Sequence, residues 1–208
     1  LVGRPILARQ ELFFQHDGPV QVSDAEDEVE GEITRQFELF EVEGDETGLR
    51  YIRSALGDLR SMQGRLEEAL EVFEMNLDGG GNSFNDPSAL INIGYTLARM
   101  EDRDRAEDYL RKALSVRDGV GPLVITVPYA LFVFAIISPT PERAARPLGT
   151  CEGIRRRMGS VLQPAEEIDL HELEVRLHSS INGAEFEKCF QEGMSMSTDE
   201  AIAFALHN

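Results

Sequence analysis

Tryptophan is absent, and only two cysteines occur, Cys151 and Cys189, with no CxxC pair. A disulfide scaffold and a cysteine-rich zinc site are thereby excluded, and a reducing cytoplasm is the fitting compartment. Basic residues are scarce. Lys plus Arg number 20 against 38 Asp plus Glu in 208 residues, a formal charge of −18. A phosphate backbone repels such a surface, which speaks against direct nucleic-acid binding by this chain. A long apolar run is missing too. Gly119 to Pro141 carries no charge, but its apolar centre, Leu123 to Ile137, is 15 residues long and contains Pro128. A spanning helix needs about 18–20 apolar residues, so a buried helix is expected there, with no membrane contact. No charged n-region with an apolar h-region opens the chain, and residue 1 is Leu; a segment excised from something longer is expected.

Catalytic signatures are equally thin. Of the four histidines, His16, His171, His178 and His207, the middle two are seven apart on one helical face. A zinc-binding helix needs His at i and i+4 with a Glu between, and His171-Glu172-Leu173-Glu174-Val175 lacks the second His. No Gly-x-Ser-x-Gly elbow is present. Gly79-Gly80-Gly81 is not followed by Gly-Lys-Ser/Thr, so it is a flexible connection rather than a phosphate loop. The reading is therefore non-enzymatic, with no cofactor and no metal; an enzyme would need a cleft with convergent polar groups and a strongly shifted titratable residue.

What is present is a core. Hydrophobic residues make up 42% of the chain, too many for a disordered one. The first fifty residues hold 13 acids and 4 bases, half the net charge in a quarter of the length. Val29, Ile33, Phe37 and Phe40 still form a helical stripe there, followed by a turn predicted over Gly44 to Gly48. Upstream, Ile6, Leu7, Leu12, Phe13 and Phe14 suggest a short helix ended by Asp17-Gly18-Pro19. From Leu49 the period is strong: Leu49, Ile52, Leu56 and Leu59, then, after Gly64, Leu66, Ala69, Leu70 and Phe73. Asp86-Pro87 and Thr140-Pro141 are helix starts, with a capping residue followed by proline.

Two stretches repeat. Gly57 precedes Ala69 by 12 positions and Gly94 precedes Ala106 by 12; Phe73 and Leu110 each follow by 4. Small residues at matched places let two antiparallel helices approach, and the larger ones fill the groove beside them. A degenerate third copy places Leu131, Ala144 and Leu148 in the same register. It makes Leu123–Ile137 the first helix of a third pair, apolar all round, which something must cover: the C-terminal helices or a partner. In the tail, Pro164 starts a helix with the stripe Leu170, Leu173, Leu177 and Ile181. Phe186, Cys189 and Phe190 mark another, which makes Cys189 a core residue; Ser197 and Glu200 form a capping box before Ala201-Ile202-Ala203-Phe204.

The offset of 37 between the better copies is close to the period of about 34 of a tetratricopeptide repeat, and residues 49–159 resemble that family. The tail is similar to something narrower. Glu142-Arg143-Ala144-Ala145-Arg146-Pro147-Leu148-Gly149, then Ile154-Arg155, Gly159, Pro164, Phe186, Phe190, Gly193 and Met196 to Leu206 resemble the end of the repeat region of large bacterial signal-transduction ATPases and transcriptional regulators. Asn76 stands where that pattern expects Ala, and residues 1–30 match nothing in it. The resemblance implies an all-α, right-handed solenoid of about three helix pairs, preceded by an acidic segment (1–48) and closed by C-terminal capping helices (160–208). It also implies a cytoplasmic interaction module in signal transduction or transcription regulation.

In such an array the first helix of each pair lines the concave side, which takes a peptide or helix. That side is expected to carry Tyr51, Ser54 and Asp58, then Ile91, Tyr95 and Arg99, then Tyr129 and Val133. Asn92 and Arg99 resemble part of a clamp for a terminal carboxylate, without its other basic residues. The partner is expected to be a protein, a peptide or a neighbouring domain of the parent chain. The alternative is a homodimer, with Val133, Ile136 and Ile137 of the apolar third pair as its seam.

Overall fold

A computed structural model of the chain describes residues 22–78, 86–116, 123–159 and 164–207. The short helix expected over Ile6–Phe14, its Asp17-Gly18-Pro19 stop and the Gly79–Ser83 connection lie outside the described residues. Ten helices are described: α1 (Val22–Glu43), α2 (Glu46–Met62), α3 (Leu66–Asp78), α4 (Pro87–Arg99), α5 (Arg103–Ser115), α6 (Leu123–Ile137), α7 (Pro141–Met158), α8 (Pro164–Ser180), α9 (Gly183–Met194) and α10 (Thr198–His207). No strand occurs among the described residues. The expected all-α, tetratricopeptide-like solenoid is what forms. The pairs α2–α3, α4–α5 and α6–α7 pack internally, and α3 meets α4 as α5 meets α6.

The helix starts follow from local chemistry. Asp86 accepts from the Ser88 amide at 2.9 Å ahead of Pro87, and Thr140 accepts from Arg143 at 3.4 Å ahead of Pro141. Ser197 and Glu200 make the capping box in both directions, at 2.8 Å and 3.3 Å. One boundary differs from the sequence reading. Only Gly44 and Asp45 turn; the Asp45 carboxylate accepts from the amides of Thr47 and Gly48, each at 3.0 Å, so α2 begins at Glu46 instead of Leu49. Gly48 then lies buried under the ring of Phe40, which binds the acidic α1 to the repeats. Of the α1 stripe, Ile33, Phe37 and Phe40 are partly covered, while Val29 remains exposed.

The repeat register holds in the core. Ala69, Ala106 and Ala144 are all buried, as are Phe73, Leu110 and Leu148. Gly94 faces Ala106 and Leu110 of its own pair, whereas Gly57 takes the ring of Phe73 as its nearest neighbour. Phe73 therefore fills the crossing of its own hairpin, not only the groove to the next. Asn76, the departure from the expected Ala, is buried and ties α3 to α2: its amide donates to the Arg50 carbonyl at 3.2 Å and to the Ser54 hydroxyl at 3.1 Å. The turns inside the first two pairs each use a left-handed residue, and the Ser138–Thr140 turn of the third does not. Gly64 supplies it in the first copy (φ 76°), and Glu101 adopts it in the second (φ 63°).

In the third pair Phe132 stands where Gly57 and Gly94 stand in the others, and it is fully buried. The close glycine crossing moves instead to α7 and α9. A Cβ on Gly149 would strike the Phe190 carbonyl oxygen, one on Gly153 would lie 2.7 Å from that of Met194, and one on Gly193 would strike that of Arg146. The sequence reading stacks the tail helices on the open end of the last repeat. In the structure only α9 does this. Helix α8 crosses to the side of the first helices, and α10 returns to α5, α6 and α7. Helix α6 is thus enclosed by α4, α5, α7, α8 and α10, with Val127, Ala130, Leu131, Phe132 and Ala135 fully buried. Val133 and Ile137 are buried as well and Ile136 is half-buried, so the seam expected for a second copy is filled from within the chain. Among the described residues no helix is long and apolar enough to cross a membrane.

Candidate interaction face

The first helices of the pairs bring several of the sequence-marked residues together, and others not. Arg99, in the last turn of α4, reaches back to α2. Its Nη1 donates to the Ser61 carbonyl at 2.7 Å and to the Ser61 hydroxyl at 2.9 Å. Its guanidinium lies 5.8 Å from the centre of the Tyr95 ring, one turn earlier on the same face. Tyr95 in turn meets Tyr129 of α6 edge-on, with centroids 6.3 Å apart. Residues from α2, α4 and α6 so form one aromatic and cationic patch.

That patch is occupied by the chain itself. The Tyr95 hydroxyl donates to the Asp169 carboxylate of α8 at 2.6 Å, and Arg99 Nε stands 4.0 Å from the same oxygen. Further along α8, Arg176 donates to the Ile136 carbonyl at 2.9 Å, capping the C-terminal end of α6, where carbonyls lack helical partners. Leu173, between these two polar contacts, and Leu177, just beyond the second, are buried. Beneath α8 a cavity of ≈ 530 Å³ remains, lined by Ala98, Arg99, Ile136, Ile168, Asp169 and Arg176 among others. Asp169 is the member of this cluster that sequence reasoning missed. It is one of 38 acids, and its one positional cue is that it precedes the Leu170–Leu173–Leu177 stripe.

The remaining candidates fall elsewhere. Tyr51 is 75% exposed on α2. Asp58 is half-buried on the same helix, and burial alone pushes its carboxyl up to about 6. Ile91 was expected on the face but is 2% exposed: it belongs to the core, because the α4 stripe is apolar over most of its circumference. Asn92 is half-buried, and the hydrogen bonds of Arg99 go to Ser61 rather than to a shared site with Asn92. The partial resemblance of Asn92 and Arg99 to a clamp is not matched by any contact between the two among the described residues.

Nothing in the described geometry assembles a reacting site. Asp58 has the one strongly raised carboxyl, and no hydrogen bond or ion pair reaches it among the described residues. Cys151 and Cys189 are buried free thiols, and burial pushes Cys151 up to about 12, which leaves it unreactive. His171 and His178 are exposed; the His178 ring lies against Phe186, with centroids 4.9 Å apart. Among the described residues no group of three His, Cys, Asp or Glu side chains could hold a metal.

The tetratricopeptide repeat model matches residues 87–118, the hairpin α4–α5 that supplies Tyr95 and Arg99. No curated protein and no solved structure matches the chain. Repeats of this kind generally mediate protein–protein interaction, since stacked hairpins leave an extended surface along one row of helices.

Proposed function

We propose that this chain is a non-catalytic interaction module of a larger, cytoplasmic bacterial regulatory protein, and that it binds a protein or peptide partner along its first-helix face. The observation that carries this reading is the Tyr95–Arg99–Tyr129 patch, which joins the first helices α4 and α6 and reaches Ser61 of α2; Tyr51 stands exposed on that same α2. Tyr and Arg suit such a role because each covers much area and keeps a polar tip. In a regulator, occupation of this face would shift its contacts with the neighbouring domains toward one of two arrangements. The charge of −18 turns the surface away from nucleic acid and toward protein.

The test is a photo-crosslinking amino acid placed at Tyr51 in the intact protein, with a control at Glu187, exposed on α9. Adducts to another polypeptide or to a neighbouring domain should form at position 51 and be absent at 187. Equal yields at both positions, or none at 51, would overturn the assignment of the face.

A further inference from the structure

We infer that α8 is an internal ligand: the Tyr95–Arg99–Tyr129 patch recognises a carboxylate carried on a helix, and a partner engages it by presenting an acidic helix that takes the place of α8. This rests on the partner-binding role of the first-helix face.

The receptor side is organised without α8. Arg99 is held by Ser61 of α2 at 2.7 Å and 2.9 Å, and Tyr95 is braced by Tyr129 of α6; none of these contacts involves residue 169. A donor pair fixed before its acceptor arrives costs little ordering entropy on binding. The Asp169 carboxylate then sits where both donors converge.

The seating of α8 is incomplete. A groove of ≈ 530 Å³ remains alongside its contacts with the ends of α4 and α6, and Ile168, which lines it, is more than half exposed. Helix α9, by contrast, lies so close to α7 that no Cβ fits at Gly149, Gly153 or Gly193. The chain is thus clamped on both sides of α8, by α7 and α9, while α8 itself rests on Leu170, Leu173 and Leu177, on the contact of His178 with Phe186 and on the polar contacts of Asp169 and Arg176. A helix that kept the carboxylate and brought larger apolar groups would fill the space that α8 leaves. Apart from the side chains of α8 itself, the charged groups lining this space are Arg99, Arg103 and Glu101, so the bases outnumber the acid and a carboxylate is favoured there over a further base.

The probe is a synthetic 17-residue peptide copying α8, residues 164–180, offered to the full chain. Asp169→Asn in the chain keeps the shape of α8 and removes its charge. Hydrogen exchange of the α8 amides should then rise by about tenfold or more, with α9 unchanged within about twofold. The labelled peptide should bind the Asp169→Asn chain about tenfold more tightly than it binds the unaltered one, and a peptide with Asn at 169 should bind about tenfold more weakly. Tyr95→Phe should open α8 to a similar extent yet capture neither peptide. Unchanged α8 exchange in the Asp169→Asn chain overturns the inference, and so does equal binding of the two peptides. Position 51 lies on α2, outside the contacts of α8, so a crosslink there survives failure of this inference and its loss speaks to the broader reading alone.

Discussion

Gly149→Ala offers the sharpest check on the C-terminal architecture. The new methyl group would meet the carbonyl oxygen of Phe190, a backbone atom that no rotamer change can move aside. Ordinary carbon–oxygen contact needs on the order of 3.3 Å, so α7 and α9 must part by roughly 1 Å along their closest line, and such overpacking costs about 3 kcal/mol. Against this stands the gain from replacing a glycine within a helix, about 1 kcal/mol. The net expectation is a loss of about 2 kcal/mol, which a urea melt with a slope of about 2 kcal/mol/M reads as a midpoint roughly 1 M lower. Gly31→Ala is the internal control. It sits mid-helix in α1 with nothing within 4 Å of a built Cβ, so only the propensity gain remains and the midpoint should rise. Gly193→Ala should resemble Gly149→Ala, because its methyl meets the Arg146 carbonyl on the other side of the same crossing. Combining the two should cost clearly less than their sum, since helices already parted by one methyl accept the other. A Gly149→Ala midpoint equal to that of the unaltered chain, or a strictly additive pair, would refute the close crossing.

Further outcomes follow from other sites. Burial raises the Asp58 carboxyl from its ordinary 3.8 to about 6, so the folded chain binds this proton more tightly than the unfolded one does. The stability it contributes is whole below about pH 4 and lost as pH rises to about 6, a swing of up to ~3 kcal/mol. Asp58→Asn should therefore stabilise the chain near neutral pH and leave it unchanged near pH 3.5 (about 3.5, below both values); an equal effect at both would exclude the burial argument. Glu101→Gly should raise stability by about 1 kcal/mol, because a left-handed backbone strains any side chain there, and a drop in midpoint would count against that turn. A shift of Cys151 from 9.0 to about 12 cuts its thiolate fraction about a thousandfold. Titration of a Cys189→Ser chain with an aromatic disulfide at mild alkaline pH should find Cys151 silent until urea is added, and a fast equivalent in that native chain would contradict its burial.

The sequence made the repeats legible because their signal is local. The Gly57–Ala69 and Gly94–Ala106 spacings and the Asp86-Pro87 start need nothing beyond one hairpin to be interpreted. The apolar circumference of α6 likewise announced that something must cover it, and the C-terminal helices were one of the two named candidates. Which helix would do so was hidden. Leu170, Leu173 and Leu177 say that α8 buries one face, but periodicity carries no information about the surface that receives it. Gly149, Gly153 and Gly193 lie in two different helices, so their partnership becomes visible only once α7 and α9 are set side by side. Ile91 was misplaced for a related reason. On a helix as apolar as α4, the register of the first repeat does not separate the open side from the core.

The enclosure of α6 bears on how the protein comes into being. Ribosomes add about 5–20 residues per second, and the last helix to close over α6 ends roughly 70 residues beyond it, a delay of roughly 4–14 s. Throughout that wait a greasy rod dangles from the nascent chain with half its coat still unmade, in the reach of every sticky neighbour. Expression at lower temperature or alongside a holding chaperone should matter more for this polypeptide than its finished surface would suggest.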